Sequence, residues 1–210
     1  MRTDDWPSCI VTAFDLAGTR TLAASGKGSS AMIEMHSRAV TKINHGLPLH
    51  SHGYVWNDSV LLLSYTTEPN WTKKAFIAEL DDFKSFIEQQ CGAAMYAISV
   101  KGLAFPNDIT APAVFNDQIA NQPRAVVLKT SSWAMANCFL IEKSLKHHRA
   151  DWYIDSRITK GANLPKPFAS EEVELLPRSE ARSIHMFKGR LHAGGPAVHR
   201  TLRDKAAQRP

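Results

Sequence analysis

The chain has 210 residues, 44% of them hydrophobic, and a formal net charge of +5 at neutral pH. That length builds a core without staples and suits one domain, or one domain with an appendage. The charge permits an anionic partner but identifies none. Residues 1–7 lack the apolar run of a signal peptide, and the longest apolar runs are strand-length, so no direct membrane insertion is expected. Cys9, Cys91 and Cys138 show neither zinc spacing nor a disulfide framework, which points to a reducing cytoplasm.

Residues 10–14 read as a short buried strand closed by Asp15 and Gly18. Residues 19–27 read as loop or frayed helix. Lys27 there sits among glycines and serines, but the full phosphate-loop spacing is missing. Met32, Met35, Ala39, Val40 and Ile43 form a helical stripe over 29–44, and His45-Gly46 ends it. A hairpin follows, with arms over 50–56 and 59–66 and Asn57-Asp58 as the turn. A helix over 71–90 carries Phe76, Ile77, Leu80, Phe83 and Ile87 at the helical period, with Gly92 as its stop. Residues 93–103 form a strand, and 105–123 an insertion or arm. Residues 124–129 form a strand, 132–148 a helix and 151–158 a closing strand.

The order β-α-β-β-α-β predicts a ferredoxin-like α+β fold, an antiparallel-rich sheet with helices on one face. A further β-α-β is added before a basic tail. Residues 1–160 are expected to form the main domain and 161–210 a basic extension. Residues 160–167 look like a linker, and 171–176 hold one short element. The last thirty residues show no convincing period and are expected to be mobile or held by a partner. Their basic side chains are not interleaved with stacking aromatics, so no nucleic-acid partner is expected.

Asp15 and Asp58 each stand in a strand-end turn, with a helical segment between them. Each alone is an ordinary turn former. Together they supply the hard oxygen donors that a pair of divalent cations needs for phosphoryl chemistry. His45, His50 and His52 cluster locally, but no carboxylate or cysteine completes a metal set.

These motifs resemble those of class III nucleotidyl cyclases. Phe14-Asp15-Leu16-Ala17-Gly18-Thr19 is similar to the family's first metal motif, and Asn57-Asp58-Ser59 followed by Val60-Leu61-Leu62 to its second. The resemblance covers about residues 8–158. It implies two Mn²⁺ or Mg²⁺ ions held at Asp15, Leu16 and Asp58, with Gly18 and Thr19 against the phosphates. Asn137 matches the asparagine of the third motif and would steady the transition state. The arginine of that motif is replaced by Ile141, for which Lys101, Lys129 and Lys143 are the candidate substitutes.

The purine-reading lysine of adenylate cyclases is replaced by Tyr54, and its aspartate partner by Thr130. This resembles the pyrimidine cyclases of the Pycsar antiphage system. The resemblance then implies a substrate of UTP, with CTP next, a homodimer with shared active sites, and a cyclic product read as a second messenger by a separate effector protein. The alternatives are a purine (adenylate or guanylate) cyclase with altered readers, and a degenerate cyclase-homology domain that binds nucleotide or partner without turnover.

Overall fold

The computed structural model describes residues 7–19, 24–26, 28–49, 52–103, 133–144, 152–160, 171–174 and 190–194. The first strand, β1 (Ser8–Leu16), leads to helix α1 (Gly28–Gly46) and the hairpin β2 (His52–Trp56) and β3 (Ser59–Tyr65). Helix α2 (Lys73–Cys91), strand β4 (Met95–Leu103) and helix α3 (Trp133–Ser144) follow. The chain continues through β5 (Trp152–Asp155), the single turn α4 (Ser156–Thr159), β6 (Glu171–Glu174) and β7 (Arg190–Gly194). One 7-stranded sheet joins them in the order β2-β3-β1-β4-β5-β7-β6.

The first four strands make the ferredoxin-like pattern. The β1-α1-β2 crossover steps over β3, and the β3-α2-β4 crossover steps over β1. Every neighbouring pair among them is antiparallel. The expected α+β class and the order of its first six elements therefore stand.

The expectation of helices on one face holds only for α1 and α2. Strand β1 is apolar on both sides. Its Ile10 and Phe14 pack with Val60 and Leu62 of β3 under Met35, Phe76, Leu80 and Phe83 of the two helices. Its Val11 packs with Leu61 and Ile98 on the other face, under Ala134, Cys138 and Ile141 of α3. A strand with two apolar faces needs two covers, and the runs Cys9-Ile10-Val11 and Leu61-Leu62-Leu63 carry that signal in the sequence. Each large side chain fully buried in these layers contributes roughly 1.5–3 kcal/mol.

Local chemistry sets the element ends. Helix α2 starts at Lys73 because Thr72 stays extended and its hydroxyl accepts from the Ala75 N–H at 3.1 Å. It stops at Gly92, whose φ of 61° suits glycine. Strand β5 ends at Asp155, short of the expected 158. The Asp155 carboxylate is fully buried and accepts from the Arg157 N–H at 2.9 Å, from the Lys101 N–H at 3.0 Å and from the Arg157 guanidinium at 2.6 Å. That clasp turns the chain into α4 and locks β5 against β4.

One further difference concerns the second half. Arg190–Gly194, in the stretch expected to lack regular structure, pairs antiparallel with β5 and with β6. Residues on both sides of position 160 thus share one sheet. The expected strand over 124–129 and the arm over 105–123 lie outside the described residues. Helix α3 lies close on β4 because Gly102 has no side chain. A Cβ there would stand 2.9 Å from the Ala134 backbone nitrogen. The helix runs from that point toward the opposite end of β4, where Tyr96 and Asp15 lie.

Candidate active site

Asp15 occupies the last partly exposed step of β1 on the face that α3 covers. Sheet register places Ser59 of β3 on one side of it and Tyr96 of β4 on the other. The Ser59 hydroxyl donates to Asp15 Oδ1 at 2.9 Å, and the Tyr96 hydroxyl donates to Oδ2 at 2.7 Å. Glu142 of α3 brings its Oε1 to 3.1 Å from the same tyrosine oxygen.

The chain beyond Asp15 is tied to the turn that carries Asp58. The Leu16 N–H donates to the Asp58 carbonyl at 3.0 Å, extending the β1–β3 ladder by one step. The Ala17 N–H donates to the Ala94 carbonyl at 2.8 Å. Gly18 then takes a φ of 77°, a region open chiefly to glycine, and Thr19 turns back to donate its hydroxyl to the Leu16 carbonyl at 2.9 Å. On the hairpin side Asn57 adopts a φ of 52°, which asparagine tolerates better than most residues. His36 of α1 contacts the Asn57 carbonyl through Nε2 at 2.5 Å and braces the turn from behind.

The electrostatics are one-sided. Burial above all pushes the Asp15 carboxyl up to about 6; the Tyr96 hydrogen bond opposes this, the charge of Asp58 adds to it, Ser59 lowers it and Glu142 raises it again. Tyr96 is pushed well above the usual phenol value by burial and by the Asp15 charge. Among the described residues no lysine or arginine forms an ion pair with Asp15. Among the described residues, negative charge is gathered here without a counter-charge.

A divalent cation fits this donor set in kind. Carboxylate and carbonyl oxygens suit Mg²⁺ and Mn²⁺, and each Asp15 oxygen keeps a lone pair beyond its one hydrogen bond. Among the described residues no group of three or more His, Cys, Asp or Glu side chains stands ready to hold a metal. Two carboxylates are few for an all-protein cage. They match the habit of Mg²⁺, which binds one or two carboxylates and completes its shell with water and substrate phosphate.

The raised Asp15 value has a consequence for stability. An aspartate whose carboxyl rises from 3.8 to about 6 on folding holds its proton longer in the folded state. Stability of the metal-free protein is therefore highest at low pH within that window and falls as pH climbs from about 4 to 6. The full penalty at neutral pH is at most about 3 kcal/mol, less whatever solvent screening removes. Asp15→Asn should flatten this dependence and raise the neutral-pH melting temperature. A melting curve at pH 7.5 in chelator that shows the Asp15→Asn variant clearly less stable than wild type would contradict it.

The other expected site residues fall as follows. Tyr54 lies opposite Leu61, which lies opposite Ala13, so Tyr54 shares the α3-covered face with Asp15 and is partly buried against that cluster. Asn137 is on α3 but only 4% exposed, and Ile141 is 1% exposed in the core beneath the same helix. Lys101 lies toward the far end of β4, opposite Ile10. Thr130, Lys129, His50 and the side chains of His52 and Lys143 lie outside the described residues. The structure thus brings Asp15, Leu16, Gly18, Thr19 and Asp58 into one turn cluster. It adds Tyr96 and Glu142, which the sequence reading does not single out, and gives Ser59 of the second motif a hydrogen bond to Asp15. Ser59 and Tyr96 are cross-strand neighbours of Asp15, and only the strand order and register reveal them.

No protein-family model matches the chain, and no curated protein does. Solved structures do. A bacterial light-regulated adenylyl cyclase superposes with a TM-score of 0.54 at 10% identity, covering 95% of this chain and 98% of that one. The adenylyl cyclase CyaB from P. aeruginosa superposes with a TM-score of 0.52 at 7% identity, covering 90% of this chain and 94% of that one. The described residues therefore have the fold of a cyclase homology domain. At such identities the likeness establishes the fold and leaves the activity to the site.

Proposed function

We propose that the chain is a nucleotidyl cyclase that converts a pyrimidine nucleoside triphosphate, UTP before CTP, to its 3′,5′-cyclic monophosphate and pyrophosphate. The observation that carries the reading is the cluster of Asp15 and Asp58 on adjacent strand ends of a cyclase-type fold, close enough for the Asp58 charge to raise the Asp15 carboxyl. In the reaction the ribose 3′-oxygen bonds to the α-phosphorus, the bond from that phosphorus to the β-phosphate oxygen breaks, and the hydroxyl proton passes to solvent. Asp15, the Leu16 carbonyl and Asp58 would hold two Mn²⁺ or Mg²⁺ ions, which supply charge neutralisation for the triphosphate and acidify the 3′-hydroxyl.

The protein's own part is placement. The turn at Gly18 leaves its backbone open to a close phosphate, and Thr19 closes that turn. Tyr54 offers an aromatic face and one hydroxyl to the base. The active sites are shared in a homodimer, with Asp15 and Asp58 from one protomer and Tyr54, Thr130 and Asn137 from the other, giving two equivalent sites. The product serves as a second messenger in antiviral defence, read by a separate effector protein in the cytoplasm.

One observation favours a second reading. Ile141 is a core residue, so the position of the third motif's arginine holds a packing side chain that cannot donate a hydrogen bond. A degenerate domain that binds nucleotide without turnover accommodates this directly. Incubation with each of the four nucleoside triphosphates and Mn²⁺, with products identified by mass, separates the readings. Cyclic UMP or cyclic CMP as the main product supports the proposal. A cyclic purine nucleotide leaves a cyclase of other specificity, and no product from any of the four leaves the binding domain.

A further inference from the structure

We infer that Tyr96 is a positioning residue for Asp15, and that its hydroxyl links the β1 carboxylate to Glu142 of α3. The inference rests on the reading of Asp15 as a cation ligand.

A carboxylate at a strand end is free to rotate unless both oxygens are fixed. Here Ser59 holds Oδ1 at 2.9 Å from β3 and Tyr96 holds Oδ2 at 2.7 Å from β4. Two flanking strands thus set the carboxylate plane, while a further lone pair on each oxygen stays available. The Tyr96 ring itself packs on the α3-side core. Packing alone would be served equally by phenylalanine; the hydroxyl is the part that reaches the acid.

That hydroxyl has one proton and two carboxylate neighbours, Asp15 at 2.7 Å and Glu142 at 3.1 Å. The shorter contact assigns the proton to Asp15. With a cation held there, the Asp15 oxygen would be a weaker acceptor, and the single Tyr96 hydrogen bond would turn toward Glu142. Occupancy at β1 would in this way be felt on α3, the helix that also carries Asn137.

Groups that orient a metal ligand typically cost ten- to hundredfold in metal affinity when removed. The test uses the full chain without nucleotide and reads Mn²⁺ binding by electron paramagnetic resonance. Wild type should bind, Asp15→Asn should not, and Tyr96→Phe should bind ten- to hundredfold more weakly with an unchanged circular dichroism spectrum. Wild-type affinity in Tyr96→Phe, with Asp15→Asn inactive for binding, overturns the role of Tyr96 and leaves the metal reading intact. Absent binding in wild type, or full binding in Asp15→Asn, overturns the metal reading itself and this inference with it.

A second measurement does not depend on Tyr96→Phe folding. The chain has 4 tyrosines, so carbon-13 labelling at Cζ gives a spectrum simple enough to follow. Mg²⁺ should shift one Cζ resonance in wild type, and Asp15→Asn should already displace that same resonance. Four resonances that ignore both Mg²⁺ and the Asp15 substitution exclude the link.

Discussion

Replacing Asp58 with alanine should abolish cyclisation while leaving the protein folded. The turn survives the change because its geometry resides elsewhere. Asn57 carries the positive φ, and the Asp58 group that accepts from the Leu16 N–H is its backbone carbonyl, which alanine retains. The lost carboxylate is the proposed cation ligand and one of the two charges that raise Asp15. Its removal should therefore leave the metal-free melting temperature equal or slightly higher, while turnover drops at least about a hundredfold, the scale of losing one electrostatic group at a reacting centre. A gain in stability with a loss of function is the signature of charge held for chemistry rather than for folding. Turnover near wild type in Asp58→Ala would remove the metal assignment. The same variant probes the dimer. Mixed with Asn137→Ala subunits it should recover partial activity, because one composite site in each heterodimer is intact. Asn137 is buried in its own chain, so the mixture is informative once both variants are shown folded and the heterodimer is shown to form.

How much of this is legible in the sequence differs from element to element. Strand β1, the hairpin and α2 are legible because a period of two or 3.6 is written in their own residues, and because Asn57, Thr72 and Gly92 are stop and turn signals with a local mechanism. The nearness of Asp15 and Asp58 is legible through the same strand-end patterns. Tyr96, Glu142 and the pairing of Ser59 with Asp15 are not. A cross-strand partner follows from register, and register follows from strand order, which no short window contains. The second cover of the sheet, α3, escapes an expectation that counts helices rather than apolar faces. Strand β7 escapes because Arg190-Leu191-His192-Ala193-Gly194 has weak apolar alternation; its partners β5 and β6 define it. The early end of β5 belongs to Asp155, whose buried carboxylate gathers donors from β4 and α4 that are distant or unremarkable in sequence.

Base choice should be set at Tyr54. This residue stands on β2, opposite Leu61, with its ring on the sheet face that carries Asp15. By the sequence resemblance the position is that of the adenylate cyclases' purine-reading lysine, and Thr130 that of the aspartate that completes the reading. A purine edge presented to tyrosine and threonine leaves polar groups unpaired, at about 1–3 kcal/mol per group. Two such losses disfavour ATP by roughly thirtyfold to twenty-thousandfold, at 1.4 kcal/mol per decade. The smaller pyrimidine leaves room for the aromatic ring, which stacks on it or donates one hydrogen bond. In direct competition at equal concentration, wild type should therefore consume UTP or CTP ahead of ATP and GTP. Tyr54→Ala should lose pyrimidine turnover far more than it loses affinity for inorganic triphosphate, because the proposed phosphate site is the Gly18 turn and not β2. Because Tyr54 is only partly buried and sits on the first strand of the sheet order, its truncation should spare the central core. A competition in which ATP or GTP dominates, or a Tyr54→Ala variant with unchanged base preference, would overturn the pyrimidine reading and leave the two aspartates as the whole of the functional claim.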